Sequence, residues 1–511
     1  MPLSRRKFLL GAGAVALAAV PLTACAGEDS GSGAHPARRA RPVAGTGVTV
    51  VADDPSGVAT SAVVFATAET AVVVAAGVAR RHLEAGCSLA RDHGVPVFAD
   101  NGPAGDSGAA VTAELERLGV SEVVLVGGTG TPAVPTTPDS GITVHPTGVD
   151  GAEPAWPDAA SDSAAGDGDP SGTALAVATS SPVSVATAAA AGFTVHRLHA
   201  ADPRSTDESV EATREELDGG GNVVALGNAF GTDADLRRRA ELTRTVDERL
   251  PGGGQVLFPG RRIIALYGHA AEPLLGVMGE QPPQDAVARA RDLAARYEPV
   301  SDVPVIPAFE IIVTVAAEEP GPSGGYSYYS DPAQVTPWID AIVDAGGYAV
   351  IDIQPGRETL LQQAQHYADL LKNPSVGLAL DPEWRLGPED QPMADIGHVD
   401  ASEINDVAAW LEDLVVAERL PQKLLMVHQF QLQMIRNRDS MVTGTDHVSV
   451  AVHCDGHGTQ DIKSETWNIV RQGLDPTVAL GWKNFIDEDE PMLSPEQTAA
   501  IDPTPDIVSY Q

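Results

Sequence analysis

At 511 residues the chain exceeds a single ordinary domain, and an apolar content of 43% is enough to build two or three cores. Seventy acidic residues against 33 basic ones give a net charge of −37, which excludes holding a nucleic-acid backbone on a basic surface. Three cysteines exclude a disulfide scaffold and are too few for a thiolate-based structural zinc site.

In chain order, the first segment is an address. Ser4-Arg5-Arg6-Lys7-Phe8-Leu9-Leu10 leads into an uncharged Ala/Gly-rich run that ends at Val20, too short for a permanent span. Paired arginines before a weakly apolar core resemble a Tat export signal, and Leu22-Thr23-Ala24-Cys25 resembles a bacterial lipobox. That resemblance implies cleavage before Cys25, lipidation of its thiol, and a protein held by lipid at the outer face of the cytoplasmic membrane or in the cell wall. Residues 26–47 are small and polar and read as a flexible tether. No later run of uncharged apolar residues is long enough to span, so lipid at Cys25 is the expected membrane contact. Cys87 falls in a helical stretch and Cys454 in an apolar strand, which reads as two buried thiols.

All eight tyrosines and five of the six tryptophans lie beyond residue 255, so composition changes near Pro251-Gly252-Gly253-Gly254. Residues 48–250 read as two α/β units, with an acidic loop over 149–172. The strand Val95–Phe98, the helix Val111–Leu118 and the strand Val123–Val126 are matched in order by Phe193–Val195, Ser209–Leu217 and Val223–Leu226. Gly127 and Gly227 follow Gly94 and Gly192 by 33 and 35 residues, the length of a strand–helix–strand unit in parallel sheet. Ala113-Glu114-Leu115-Glu116-Arg117-Leu118-Gly119 followed by Val123 to Gly130 resembles the cell wall binding repeat 2 family. That resemblance implies attachment to wall or envelope polymer. The Gly-Gly-Thr-Gly turn reads as a tight strand exit, since it lacks the Lys-Ser/Thr of a phosphate loop.

Residues 255–511 alternate strand and helix. Strands are expected at Ile263–Tyr267, Val305–Val315, Tyr348–Ile353, Val376–Leu380, Lys423–Val427, Val448–Cys454, Thr477–Trp482 and Ile507–Tyr510, with helices between most of them. Eight strands in this length predict a (β/α)8 barrel, the competitor being an open doubly wound sheet. In such a barrel active groups sit at strand C-termini. Those ends carry Asp352 and Gln354, then Asp381, Glu383 and Trp384, then His428 and Gln429, then Asp455, then Trp482 and Lys483, with Glu310 midway along the second strand.

Asp381 and Glu383, two apart, lie roughly 6.6 Å apart at Cα if extended. Their repulsion raises one pKa and leaves the other group ionised, the division needed for glycosidic chemistry. Gly377-Leu378-Ala379-Leu380-Asp381-Pro382-Glu383-Trp384 resembles the fourth-strand D-x-x-D-x-D-x-E motif of chitinase-like barrels and the D-x-E strand of family 25 lysozymes. Val376 and Ala379 stand where the chitinase motif has its earlier acids. The resemblance implies Glu383 as proton donor and Asp381 as its electrostatic partner. Asp352 or Asp455 is the expected stabilising or water-activating carboxylate. Glu310, Gln354, Trp384, His428, Gln429, Trp482 and Lys483 are the expected substrate contacts, and this chemistry needs no cofactor. Trp338, Trp384, Trp482 and Tyr326 to Tyr329 offer flat faces for sugar rings, with core packing the alternative for each tryptophan. Two other functions remain open: a barrel that only binds wall polymer, and a metallohydrolase using His269, His428, His453, Asp455 and His457.

Overall fold

A computed structural model describes residues 47–100, 107–127, 141–147 and 172–511. The expected signal with Cys25, the tether, most of the Gly-Gly-Thr-Gly turn and nearly all of the 149–172 loop lie outside the described residues.

The first part of the chain forms two four-stranded, all-parallel sheets. Their strands are β1 (Val48–Val51), β2 (Thr70–Val74), β3 (Val97–Ala99), β4 (Glu122–Val126), β5 (Thr143–Thr147), β6 (Gly172–Ala176), β7 (Phe193–Arg197) and β8 (Val223–Leu226). One sheet has the order β3-β2-β4-β5 and the other β7-β6-β8-β1. Both wind the same way. The chain starts in the middle (β2 or β6), crosses to one side (β3 or β7), then returns to the other (β4 or β8). The glycine-spaced repeat of the sequence is therefore a repeat of topology. Strand β1, from the start of the described chain, fills in the second sheet the place that β5 fills in the first, pairing Val48 to Val223 and Val51 to Leu226.

Every residue of β2 and β6 is buried, the pattern of parallel strands covered on both faces. One core joins Val73, Phe98 and Leu125 of the first sheet to Ala176, Val185 and Leu226 of the second unit. The helices stop and start where local chemistry dictates. Thr206 and Ser209 form a reciprocal capping box at the head of Asp207–Gly219, and Gly220 ends that helix in the left-handed conformation. Cys87, on the helix Arg80–His93, and Cys454 are buried and free.

The rest of the chain closes an eight-stranded parallel barrel. Its strands are Arg262–His269, Val305–Ala316, Tyr348–Ile353, Val376–Leu380, Lys423–Gln429, Val448–Cys454, Ala479–Asn484 and Ile507–Tyr510. The first pairs with both the second and the eighth, which shuts the ring. A short strand, Ser327–Tyr329, runs antiparallel along the end of the second. Helices follow most strands, and Asp331, Thr359, Asp400 and Ser494 each cap one through a side-chain oxygen. The fifth and sixth strands are joined by short turns in place of a long helix.

Outward-facing Ile311, Ile351, Leu378, Leu425 and Val450 pack beneath the helices against Trp338, Ile342, Leu411 and Trp467. The lower interior is apolar, and the connecting segment closes it from below with Leu250 and Leu257. Gly377 and Ala379 do not leave an open pore. A Cβ on Gly377 would stand 2.9 Å from Leu424 Cβ and 3.1 Å from the Tyr348 ring, so the small residue makes room for Tyr348.

Arg261, buried, pins the connecting segment by donating to the carbonyls of Pro251, Gly253, Val256 and Leu257. Arg238 and Arg239 of the second α/β unit both reach Asp446 beside the sixth barrel strand, and Arg204 donates to the Asp446 carbonyl at 2.8 Å. Among the described residues no helix is long and apolar enough to cross a membrane.

Candidate active site at the barrel mouth

Side chains alternate along a strand, so residues two apart share a face. On seven of the eight strands the interior changes from apolar to polar within one such step. The lower layer is Ala265, Ala308, Val350, Ala379, Met426, Ala451, Ala479 and Ile507. Two residues further on stand Tyr267, Glu310, Asp352, Asp381, His428, His453, Gly481 and Ser509. Asp455 and Lys483 follow one more step up the sixth and seventh strands. After Asp381 the fourth strand breaks into a short 3-10 turn, Pro382–Trp384, which carries Glu383 to a half-buried position.

His428 organises the cluster. Its Nε2 hydrogen-bonds Glu310 Oε1 and its Nδ1 hydrogen-bonds Asp455 Oδ2, each at 2.8 Å, with the ring fully buried. Burial alone would favour the neutral ring, but the two carboxylates outweigh it and hold the His428 pKa well above the ordinary value. An imidazolium there donates from both nitrogens. Burial likewise pushes the Glu310 and Asp455 carboxyls up, and His428 reverses it, leaving both below the usual range and ionised.

The other acids go the opposite way. Burial, with further repulsion from Glu310, pushes Asp352 up to about 6, and Tyr267 donates its hydroxyl to Asp352 Oδ2 at 3.0 Å. Burial and Glu383 together hold Asp381 well above the carboxylate range. Burial and Asp455 push Glu383 up to about 7. His453 is pushed down to about 3 by burial, is neutral, and meets Ser509 Oγ at 2.7 Å. Gly481 beside it is required, because a Cβ at that position would overlap the His453 ring. Lys483 Nζ lies 3.6 Å from the centroid of the Tyr267 ring.

Five buried polar atoms of the cluster have no hydrogen-bond partner among the described residues: Glu310 Oε2, Asp352 Oδ1, Asp381 Oδ1, Asp455 Oδ1 and His453 Nδ1. Unpaired buried acceptors are costly and mark a place where something else is bound or exchanged. Ligand atoms of Asp381, Glu383 and Asp455 lie within 4.8 Å of one another, and so do those of Glu310, Asp352 and His428.

The fold thus brings together Asp352, Asp381, Glu383, Asp455, Glu310, His428 and Lys483. The remaining expected contacts have other surroundings. Trp482 has the opposite parity to Lys483: it packs edge-on against Trp467 and donates to Asn484, within the shell between strands and helices. Gln429, also of outward parity, braces its own loop through the Gln431 carbonyl and Arg438. Gln354 accepts from the Ala316 amide at the strand ends. Trp384 is half-buried on the turn that carries Glu383. Trp338 is core, edge-on to Phe309. Of the histidines named for a metal, His269 hydrogen-bonds Ser330 and His457 meets Phe485 edge-on, whereas His428 and His453 are inside the cluster. Tyr267, Gly481 and Ser509 were not singled out from the sequence. The register would have found them, since each stands two residues beyond an apolar interior position.

A half-buried carboxyl titrating near 7 beside ionised Asp455 is equipped to donate a proton at neutral pH and to shelter a developing positive charge. No family model matches this chain, and no curated protein matches it.

Proposed function

We propose that the protein is an envelope lipoprotein whose barrel hydrolyses a glycosidic bond, with Glu383 as general acid and Asp455 as the anionic partner. The observation that carries this reading is the opposed pair, Glu383 pushed up to about 7 and Asp455 held ionised by His428. Asp381, kept protonated by burial and by Glu383, is a second donor beside them and orients the acid. The oxygens of Asp381, Glu383 and Asp455 approach within 4.8 Å. The export-like N-terminus with Cys25 supports the envelope location, and the twice-repeated parallel sheet supports a polymer-holding N-terminal half of the cell wall binding repeat kind.

The test is release of reducing ends from purified envelope polysaccharides by the full chain and by its Glu383→Gln variant. Turnover by the wild type with loss of about 10²–10⁴-fold in the variant is expected. Equal turnover by both removes Glu383 from the chemistry. No release from any polymer by folded protein moves the barrel to a binding role.

The unpartnered oxygens favour a second reading, a metal-dependent hydrolase. Asp381, Glu383 and Asp455 form an all-oxygen set that fits a hard cation such as Mg²⁺ or Ca²⁺. The Glu310, Asp352 and His428 set fits less well, because both His428 nitrogens are already engaged. Calorimetric titration with Mg²⁺, Ca²⁺, Mn²⁺ and Zn²⁺ separates the two: stoichiometric binding lost in Asp455→Asn favours the metal, and no heat favours the proton donor.

A further inference from the structure

The ten large apolar side chains that stand exposed among the described residues are unevenly placed. Leu274, which is 89% exposed, lies in the loop after the first barrel strand, and Tyr328 follows the second. Met393 and Ile396 lie in the loop after the fourth, in which Met393 adopts a left-handed backbone at φ 62°. Leu432 follows the fifth strand, Ile462 stands on the first turn after the sixth, and Ile486 and Met492 follow the seventh. Eight of the ten therefore belong to the end of the barrel where Glu383 opens, while Val300 and Val416 belong to the other end. Exposed apolar residues are ordinary when scattered over a whole surface, and eight of ten at one barrel end is the bias of a docking face.

The same loops expose Glu318, Glu319, Glu389, Asp395, Asp487 and Glu488. In a chain of net charge −37 they repel a phosphate or carboxylate carrier. The buried cluster repeats that selection, since its five carboxyl groups outnumber the cations His428, Lys483 and Lys463 around them, and Lys463 is already bound to Asp489.

We infer that the barrel takes an uncharged glycolipid, the sugar entering at Glu383 and Asp455 while the hydrocarbon chains lie on the apolar ring. The inference rests on the glycosidic reading and names its substrate class. Apolar contact supplies affinity that the acidic surface denies to an anionic lipid, and it would bring the mouth against the bilayer.

The probe is a vesicle of phosphatidylcholine carrying a neutral glycosyldiacylglycerol, against plain phosphatidylcholine and phosphatidylglycerol vesicles, with the full chain as Cys25→Ser. Flotation with the glycolipid vesicles alone is expected. The variant Leu274→Ser/Met393→Ser/Ile396→Ser should lose at least about ten-fold in binding, the worth of roughly two buried methylenes. Its melting temperature should be unchanged, because these side chains are exposed. Sugar release from the vesicles should exceed release from the soluble methyl glycoside of the same sugar, and the triple variant should level the two. Wild-type-like binding by the triple variant, or equal rates on both substrate forms, overturns the inference and leaves hydrolysis standing. Ring-dependent binding with no release, unaltered by Glu383→Gln, supports the docking surface and overturns the hydrolase.

Discussion

Within the cluster, individual ionisations make opposite demands on pH. As the proposed general acid Glu383 must be protonated, so the proposed hydrolysis should fall as the pH rises through about 7. Asp455 is the largest neighbouring charge raising that pKa. In Asp455→Asn the Glu383 carboxyl, followed directly by NMR titration, should therefore lose its proton at lower pH, and an unmoved midpoint would assign the shift to another group. Stability follows the same groups. Asp352 at about 6 and Glu383 at about 7 lie above the ordinary carboxyl value near 4. Their contribution is full below that value and is lost as the pH rises through about 6 and 7. The melting temperature should drop between about pH 4 and about pH 7, and by less in the Asp352→Asn/Glu383→Gln variant. His428 is a positioning residue, fully buried between two carboxylates. His428→Ala leaves Glu310 and Asp455 unpaired, and chemical denaturation should register a loss of about 3–5 kcal/mol.

At the level of elements, each barrel strand carries a seam where packing gives way to chemistry. Below it, Ala265, Ala308, Val350 and their neighbours close the interior with Leu257 from the connecting segment. Leu257→Ala should open a cavity at the barrel floor and cost about 2–5 kcal/mol in a denaturant titration. The site lies on the far side of that floor, so the pH profile of the surviving folded protein should be unchanged. The turn Pro382–Trp384 is the element that decides access: it lifts Glu383 out of the strand while Asp381 stays sealed. Sequence parity alone places those two acids side by side on one extended face. The break after Asp381 instead gives them different depths.

Across the whole molecule, the α/β part and the barrel are fastened at the barrel's lower end. Arg204, Arg238 and Arg239 converge on Asp446, Gln255 bonds both Arg204 and Gln422 through its backbone, and Arg261 locks the linker. A fragment of residues 255–511 loses Leu250, the carbonyls of Pro251 and Gly253 that Arg261 needs, and every partner of Asp446 but its own strand. It should unfold at lower denaturant than the full chain, with a less cooperative transition; equal midpoints would show that the barrel stands alone. Asp446→Ala should weaken the junction in the same direction while leaving the mouth intact.

The sequence by itself determined the eight barrel strands, because each is a short apolar, β-branched run bounded by turn residues, and such runs pair whatever their distant context. It also determined the matching order of the two α/β units, through glycines at nearly equal spacing. The acids Asp352, Asp381, Glu383 and Asp455 were legible as strand-end residues for the same reason. Only the tertiary structure decided how these groups divide the work. Burial and proximity set the charge of a carboxyl, and both depend on residues from other strands: His428 between Glu310 and Asp455, Tyr267 on Asp352, Gly481 making space for His453. Trp482 and Gln429 were beyond reach from sequence because a strand end names two faces, and only closure of the barrel says which one points in. Strand β1 joins β8 from the opposite end of the α/β part, Val51 against Leu226, a long-range pairing that no local pattern carries.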